Sequence, residues 1–460
     1  MARLSSHRRG WGFGCVAVMT ILLAGAAQAE EAPAQPIPDG PGETSDPAAD
    51  VAAVAAGAKD TGGSPVPPRR EFAQFLGPNR DATITGVALS RDWAARAPVE
   101  LWRQPLGLGW SGFAIADDIA VTLEQRQGEE LVVAYALENG QVLWSQLNDA
   151  GFESPMTGDG PRSTPAIEDG EVFVVGARGT LSALDLKTGE LIFRRNVLED
   201  SGASSPSHGV SASPLLLGDH VVVLAGGGGG SLIAYDRRTG ERSWSGGDEP
   251  AAYSSPFLTT LAGAAQIVVF NRTGVTGQKA ADGEVLWLFE WPGGSERVAQ
   301  PVVLPGDRLF VSTGYGIGSK LLQIEADESG GLHAELIWES RRLKAKFTQV
   351  VHRDGFMYGL DDGVLVSLDL QDGERRWKHG RYGHGQILLV DDLLLIQSER
   401  GEVILVAASP ERHTELGRFQ AVEGMSWATP ALAGDLLIVR SEGEAACYRL
   451  PTEAPAASAE

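Results

Sequence analysis

The chain has 460 residues, with 60 Asp or Glu against 38 Lys or Arg and a formal net charge of −22. So acidic a protein repels nucleic acid and anionic lipid headgroups, and no nucleic-acid partner is expected. It holds two cysteines, Cys15 and Cys447.

Residues 1–29 read as a secretory signal. Arg3, Arg8 and Arg9 form a positive start, Cys15 to Ala27 is mostly apolar, and Ala27-Gln28-Ala29 is a small-x-small cleavage site. The Arg8-Arg9 pair is compatible with twin-arginine as well as general export. Cleavage would leave Cys447 alone, with no intramolecular disulfide and the character of a small buried apolar side chain. Residues 30–70 are rich in Pro, Ala, Gly and Asp. They offer too little apolar surface to offset their ordering entropy and are expected to be a disordered linker. Residues 71–451 are the expected folded body, and 452–460 a disordered tail.

Within the body one phrase returns: a short apolar run, an acidic residue, a Gly turn, then a large aromatic. It reads Val133-Ala-Tyr-Ala-Leu-Glu-Asn-Gly-Gln-Val-Leu-Trp144, then Ser182-Ala-Leu-Asp-Leu-Lys-Thr-Gly-Glu-Leu-Ile-Phe193, then Ile233-Ala-Tyr-Asp-Arg-Arg-Thr-Gly-Glu-Arg-Ser-Trp244. Weaker or stretched copies end at Trp287 and Trp338. A clear copy ends at Trp377 and a degenerate one at Leu416. Each copy fits two strands of a hairpin. The apolar alternation has period 2, Asp bonds the backbone ahead of it, and Gly accepts positive φ. Two more apolar runs precede each copy, as in Thr164-Pro-Ala-Ile-Glu-Asp-Gly-Glu-Val-Phe-Val-Val-Gly176. Four strands per repeat make the blade of a propeller. The seven anchors Trp144, Phe193, Trp244, Trp287, Trp338, Trp377 and Leu416 are 39 to 51 residues apart. The last repeat, Thr429 to Leu450, lacks its fourth strand, while Val99-Glu-Leu-Trp102 has the right phrase and no partner. The expected fold is therefore all-β: an eight-bladed β-propeller of four-stranded antiparallel blades, closed by the N-terminal strand that carries Trp102.

These phrases resemble the PQQ-like β-propeller repeat family, whose blade motif is Ala-x-Asp-x-x-Thr-Gly-x-x-x-Trp. Ala183, Asp185, Thr188, Gly189 and Phe193 carry it, as do Ala234, Asp236, Thr239, Gly240 and Trp244. Phe72-Ala-Gln-Phe-Leu-Gly-Pro-Asn-Arg-Asp81 looks like the lead-in of exported members. The family resembled has at least two functional branches. One branch holds pyrroloquinoline quinone and Ca²⁺ as a dehydrogenase; the other is a non-catalytic, BamB-like scaffold. Many eight-bladed quinoprotein alcohol dehydrogenases use a vicinal Cys-Cys pair, which this chain lacks, so the scaffold branch is favoured and no cofactor is expected. The expected setting is the periplasm or another extracytoplasmic compartment. The expected protein is a monomer bound to envelope protein partners, with any membrane association peripheral. An atypical PQQ- and calcium-dependent oxidoreductase is the alternative, and a polysaccharide- or peptidoglycan-associated module a third reading.

No Gly-x-Ser-x-Gly, His-Glu-x-x-His or Walker loop is present, and the histidines show no metal-ligand spacing. No catalytic residue and no metal ligand is therefore assigned. Gly314-Tyr-Gly-Ile-Gly-Ser-Lys320 mimics a phosphate loop, but strands flank it. Repeat phase supplies the one constellation. Residues just before the first strand of each blade should line one mouth of the central channel. At that phase stand Trp110-Ser111, Arg162-Ser163, His208 with Ser211, Tyr253-Ser254, Arg297 with Gln300, Lys346 with Gln349, His384 with Gln386, and Trp427. Of these, Arg162, Ser211, Gln300, Lys346, Gln349, His384, Gln386 and Trp427 form the candidate ligand-binding ring. Its cations, amides and aromatics suit an anionic, planar or peptide-like ligand. The same residues could instead satisfy loop backbone and channel waters. Glu124-Gln125-Arg126 and Asp159 are candidates to balance its charge.

Overall fold

The structure is a computed structural model that describes residues 70–294 and 296–453. The expected signal (1–29), nearly all of the linker and most of the tail lie outside the described residues. Eight antiparallel sheets follow one another along the chain. Blades 1 to 7 span residues 114–150, 166–196, 215–246, 257–290, 302–340, 350–381 and 386–420. Blade 8 takes three strands from residues 431–449 and its outermost strand, Val99–Pro105, from the other end of the body. First strands contact one another along blades 1 to 4 and along blades 5 to 7, Gln300 bonds Ser255 O between blades 4 and 5, Gln386 bonds Trp427 O between blades 7 and 8, and Ala431–Ala433 of blade 8 meets Ala114–Ala116 of blade 1, so the ring is closed. Among the described residues no helix is long and apolar enough to cross a membrane.

The repeated phrase acts through one local device. In every blade the outer strand bulges by one residue directly before the anchor position. Trp144 faces Ala134 while Val142 faces Tyr135, and Trp377 faces Ser367 while Arg375 faces Leu368. The bulge adds local twist and turns the anchor toward the following blade. There the indole lies over the glycine of the next turn. A Cβ on Gly140 would stand 2.7 Å from the ring of Trp102, and one on Gly189 would stand 2.6 Å from that of Trp144. Both glycines also sit at positive φ, 69° and 74°, so the position excludes a side chain twice over. The indole N–H then donates to a carbonyl just ahead of that glycine: Trp102 to Leu137 and Trp144 to Leu186, each at 2.8 Å. Trp338 and Trp377 repeat the bond with Leu370 and Ser409. The Asp of the phrase holds the turn. Asp185 Oδ1 accepts from the backbone N–H of Lys187 and Thr188, and these bonds keep its carboxyl below the usual range.

Two anchors differ from the sequence expectation. Trp287 donates at 2.6 Å to Gln266 Oε1 of its own blade. Its neighbour, blade 5, has long outer strands, Gly318–Ala326 and Leu332–Ser340, joined through Asp327–Gly331, and gives Trp287 no turn carbonyl like those that receive Trp102, Trp144 and Trp338. In blade 7 the anchor register, opposite Leu405, is held by Gly417; Leu416 is the bulge residue one step earlier. The missing ring comes from another part of the chain. Trp93, 5% exposed, lies against Gly417, where a Cβ would be 2.8 Å from the Cβ of Trp93, and meets Phe419 edge-on at 5.8 Å. Blade 8 has no continuous third-to-fourth-strand turn, because its outer strand comes from elsewhere. Residues 88–96 cross residues 451–453 in place of that turn, with Ser90 N–H on Pro451 O and Arg96 on Thr452 O, and bring Trp93 with them.

The segment before this crossing lies along the axis. Phe72 pairs with Ile115 of blade 1, Ala73 O accepts from Ile167 of blade 2, and Arg80 donates to Pro214 O and Ser213 O at blade 3. Thr83–Ile84 then adds a parallel fifth strand to blade 7. Arg80 is buried, and desolvation lowers its pKa to about 9. Phe75 lines a cavity on one side of this segment; Leu76, Asn79, Arg80 and Asp81 line a second.

Candidate binding site at the channel mouth

Innermost strands converge at the axis, where their first backbone N–H groups have no neighbouring strand to pair with. Side chains from the next blade satisfy them in sequence. Gly112 N–H donates to Thr164 Oγ1, Thr164 N–H to Ser213 Oγ, and Ser213 N–H to Ser255 Oγ. Ser255 N–H then donates to Gln300 Oε1 and Gln300 N–H to Gln349 Oε1. The distances run from 2.9 to 3.3 Å, and the belt joins blades 1 to 6. It answers the requirement that buried backbone donors be paired.

Above the belt opens a cavity of about 200 Å³. Phe75 is its one contribution from the axial segment; Trp110, Tyr253, Tyr315, Phe347 and Trp427 supply the other rings. Trp427 packs on Trp110 at 4.8 Å and on Phe347 at 5.2 Å, and Phe347 packs in turn on His384 at 5.0 Å. His208 and Tyr253 form a second ring pair at 5.6 Å. Loop bonds fix the two indoles: Trp110 Nε1 donates to Thr157 O and Trp427 Nε1 to Glu399 Oε1.

Repeat phase brings Arg162, Ser211, Gln349, Gln386 and Trp427 to this cavity from five different blade entrances. Lys346 and His384 stand beside it. The Lys346 ammonium lies 5.5 Å above the ring of Tyr315, and His384 backs Phe347. Burial and the nearby Lys346 charge lower the pKa of His384. Gln300 sits deeper, as a belt member beside the second cavity. In the dipeptides Trp110-Ser111, Arg162-Ser163 and Tyr253-Ser254 the first residue lines the cavity. The second is buried and closes its own blade: Ser163 bonds Val175 O and Ser254 bonds Phe270 O. Arg297 is buried against the carbonyls of Trp291, Pro292 and Gly293.

Arg162 holds its own loop together through Gly160 O, Gly158 O and Thr157 Oγ1, and stacks on Phe152. Desolvation lowers its pKa to about 10, so it keeps its charge at neutral pH. Asp159 accepts from Ser154 N–H in the same loop. Glu124 lies away from the cavity, buried on Tyr135, Arg126 and Gly107 N–H. Phe75, Glu296, Tyr315 and Phe347 are among the lining residues to which repeat phase did not point. Tyr315 is the tip of the hairpin that mimics a phosphate loop.

The donor set does not fit pyrroloquinoline quinone with calcium. Ca²⁺ takes six to eight oxygens, commonly with carboxylates among them, and among the described residues Glu296 is the single carboxylate lining the cavity. Among the described residues no three His, Cys, Asp or Glu side chains are grouped to hold a metal ion.

Comparison with known proteins agrees with the repeats. The family described as outer membrane protein assembly factor BamB matches residues 99–196 and 128–379. The outer membrane protein assembly factor BamB of Yersinia pestis is 25% identical over 284 residues, which cover 55% of this chain and 67% of that protein. The crystal structure of BamB from Moraxella catarrhalis superposes with a TM-score of 0.57 at 16% identity, over 78% of this chain and 99% of that one. The quinohemoprotein alcohol dehydrogenase of Comamonas testosteroni superposes with a TM-score of 0.61 at 12% identity, over 89% of this chain and 86% of that one. At such identities both superpositions speak for the propeller alone. With its repeats, its closed ring and the match over residues 99–379, this chain belongs to the PQQ-like β-propeller family of the outer membrane protein assembly factor BamB.

Proposed function

We propose that the chain is an exported, non-catalytic binding or assembly scaffold of the cell envelope, one folded domain on a linker, that holds a protein partner on the channel-mouth face. The observation that carries this reading is the ring-lined cavity, which opens among the loops where Arg162, Lys346 and Trp427 converge. Concave, largely apolar sites with a few placed polar groups are the usual form of a binding site. Met156, 84% exposed, sits in the loop that covers Trp110, and the partly exposed Met425 in the loop that carries Trp427. Exposed methionines adapt to a partner's shape at little cost. The related BamB proteins favour the same reading, with a periplasmic setting and no cofactor.

Full-length tagged protein, purified from the envelope of its own cells, tests it. Tyr315 and Lys346 are both accessible, so Tyr315→Ala with Lys346→Glu should leave the fold intact. The wild type is expected to retain a discrete envelope protein that this double variant loses. Retention of the same protein by the variant contradicts the reading, as does dye-linked alcohol oxidation after incubation with pyrroloquinoline quinone and Ca²⁺.

A further inference from the structure

We propose that the mouth cavity receives a single aromatic side chain with a ring donor, Trp or Tyr, presented by an acidic segment of the partner protein. This inference rests on the scaffold reading and specifies what the scaffold grips.

Gln386 is the first observation. It lines the cavity and is 4% exposed. Its Nε2 donates to Phe347 O at 2.9 Å and to Trp427 O at 3.0 Å, which fixes the amide orientation. Oε1 must then be the free end, and it has no hydrogen-bond donor. A buried acceptor without a donor costs stability unless something supplies one. Ser211 Oγ, also among the lining residues, is buried without a partner too.

The neighbouring rings are the second observation. The two carbonyls that orient Gln386 belong to Phe347 and Trp427, whose side chains form a continuous wall with Trp110 and His384. Aromatic walls of this kind favour an inserted ring through offset and edge-on contacts. An aliphatic side chain would fill space but leave Gln386 Oε1 without a donor. Phenylalanine would gain the ring contacts and still lack the donor. Indole N–H and phenol O–H supply both.

The third observation is charge. The protein carries −22 overall, yet Arg162 and Lys346 at this mouth have no ion pair among the described residues. The carboxylate of Glu399 is engaged by the Trp427 indole. Glu296 is the opposing charge within the cavity. Acidic residues flanking the inserted ring would meet the two unpaired cations at the rim.

The test needs no substitution. Blocked five-residue peptides of the form Asp-Gly-X-Gly-Asp, with X as Trp, Tyr, Phe or Leu, are titrated into the full chain by calorimetry. Trp or Tyr is expected to bind about tenfold tighter than Phe, the effect of one added hydrogen bond, and Leu weaker still. Replacing both Asp flanks with Lys should weaken the Trp peptide severalfold. Lys346→Glu should remove most of that flank effect while the order Trp, Phe, Leu persists. Equal binding of Leu and Trp, or no binding of any peptide, overturns the proposal. So does N-acetyltryptophanamide binding as tightly as the acidic Trp peptide, which would point to a small-molecule site. An envelope partner still lost in the Tyr315→Ala, Lys346→Glu variant, with no ring preference among peptides, overturns this inference and leaves the scaffold reading standing.

Discussion

Trp102→Ala is expected to destabilise the propeller by about 3–5 kcal/mol, the range for emptying a buried aromatic site. The ring is 6% exposed and stacks with Tyr135 at 6.4 Å. Its strand pairs with residues 444–449, setting Trp102 opposite Cys447. The same residue thus closes the ring and docks blade 8 onto the Gly140 turn of blade 1. Arg103 beside it spans Glu100, Glu444 and Ala421 O, so the outer strand is tied at its surface as well. Urea denaturation of wild type and variant checks the figure. A loss within about 0.5 kcal/mol, the level of a surface substitution, would contradict closure through this strand.

Trp93→Ala should cost a similar amount, about 3–5 kcal/mol, although Trp93 belongs to no repeat. Its ring occupies the slot that an anchor on Gly417 would otherwise fill. A sign reversal follows. Gly417→Trp alone should destabilise, because its Cβ would press on Trp93. In the Trp93→Ala background the same change should recover part of the loss. A double-mutant cycle by urea denaturation measures the coupling. Additive effects would show that Trp93 and the blade 7 anchor position do not share one site.

Both predictions bear on what the sequence could reveal. The repeat made the fold legible, because one phrase fixes a bulge, a turn glycine and an indole dock at once. It also located the ring closure, since Trp102 had the phrase without its blade. Trp93 was invisible for the complementary reason: it acts where the chain ends interrupt the repeat, and its phase matches nothing. Leu416 was the natural choice of anchor in blade 7, yet the bulge moves the register by one residue to Gly417. Trp287 shows that a conforming phrase is insufficient when the next blade gives the indole no turn carbonyl.

Site positions followed the same rule. Phase placed Arg162, Ser211, Gln349, Gln386 and Trp427 together, since equivalent positions of successive blades must converge on the axis. It could not separate side chains facing the cavity from those facing the belt. Gln300 and Gln349 each accept from a backbone N–H of the preceding blade, and of the two Gln349 alone also reaches the mouth cavity. Phe347, between Lys346 and Gln349, is apolar and carries no polar signal at the phase of the ring. Phe75 could not be placed at all, because the axial segment that carries it lies outside the repeats.

Cross-linking inside the cell tests the central claim, partner binding at the channel mouth, most directly. A photoreactive residue is placed at Tyr315 or Met156 on the mouth face, and at Asn139 in an exposed turn of the opposite face. Adducts with a discrete envelope protein are expected from the two mouth positions, and none from Asn139. Adducts from Asn139 with none from Tyr315 or Met156 would contradict the account.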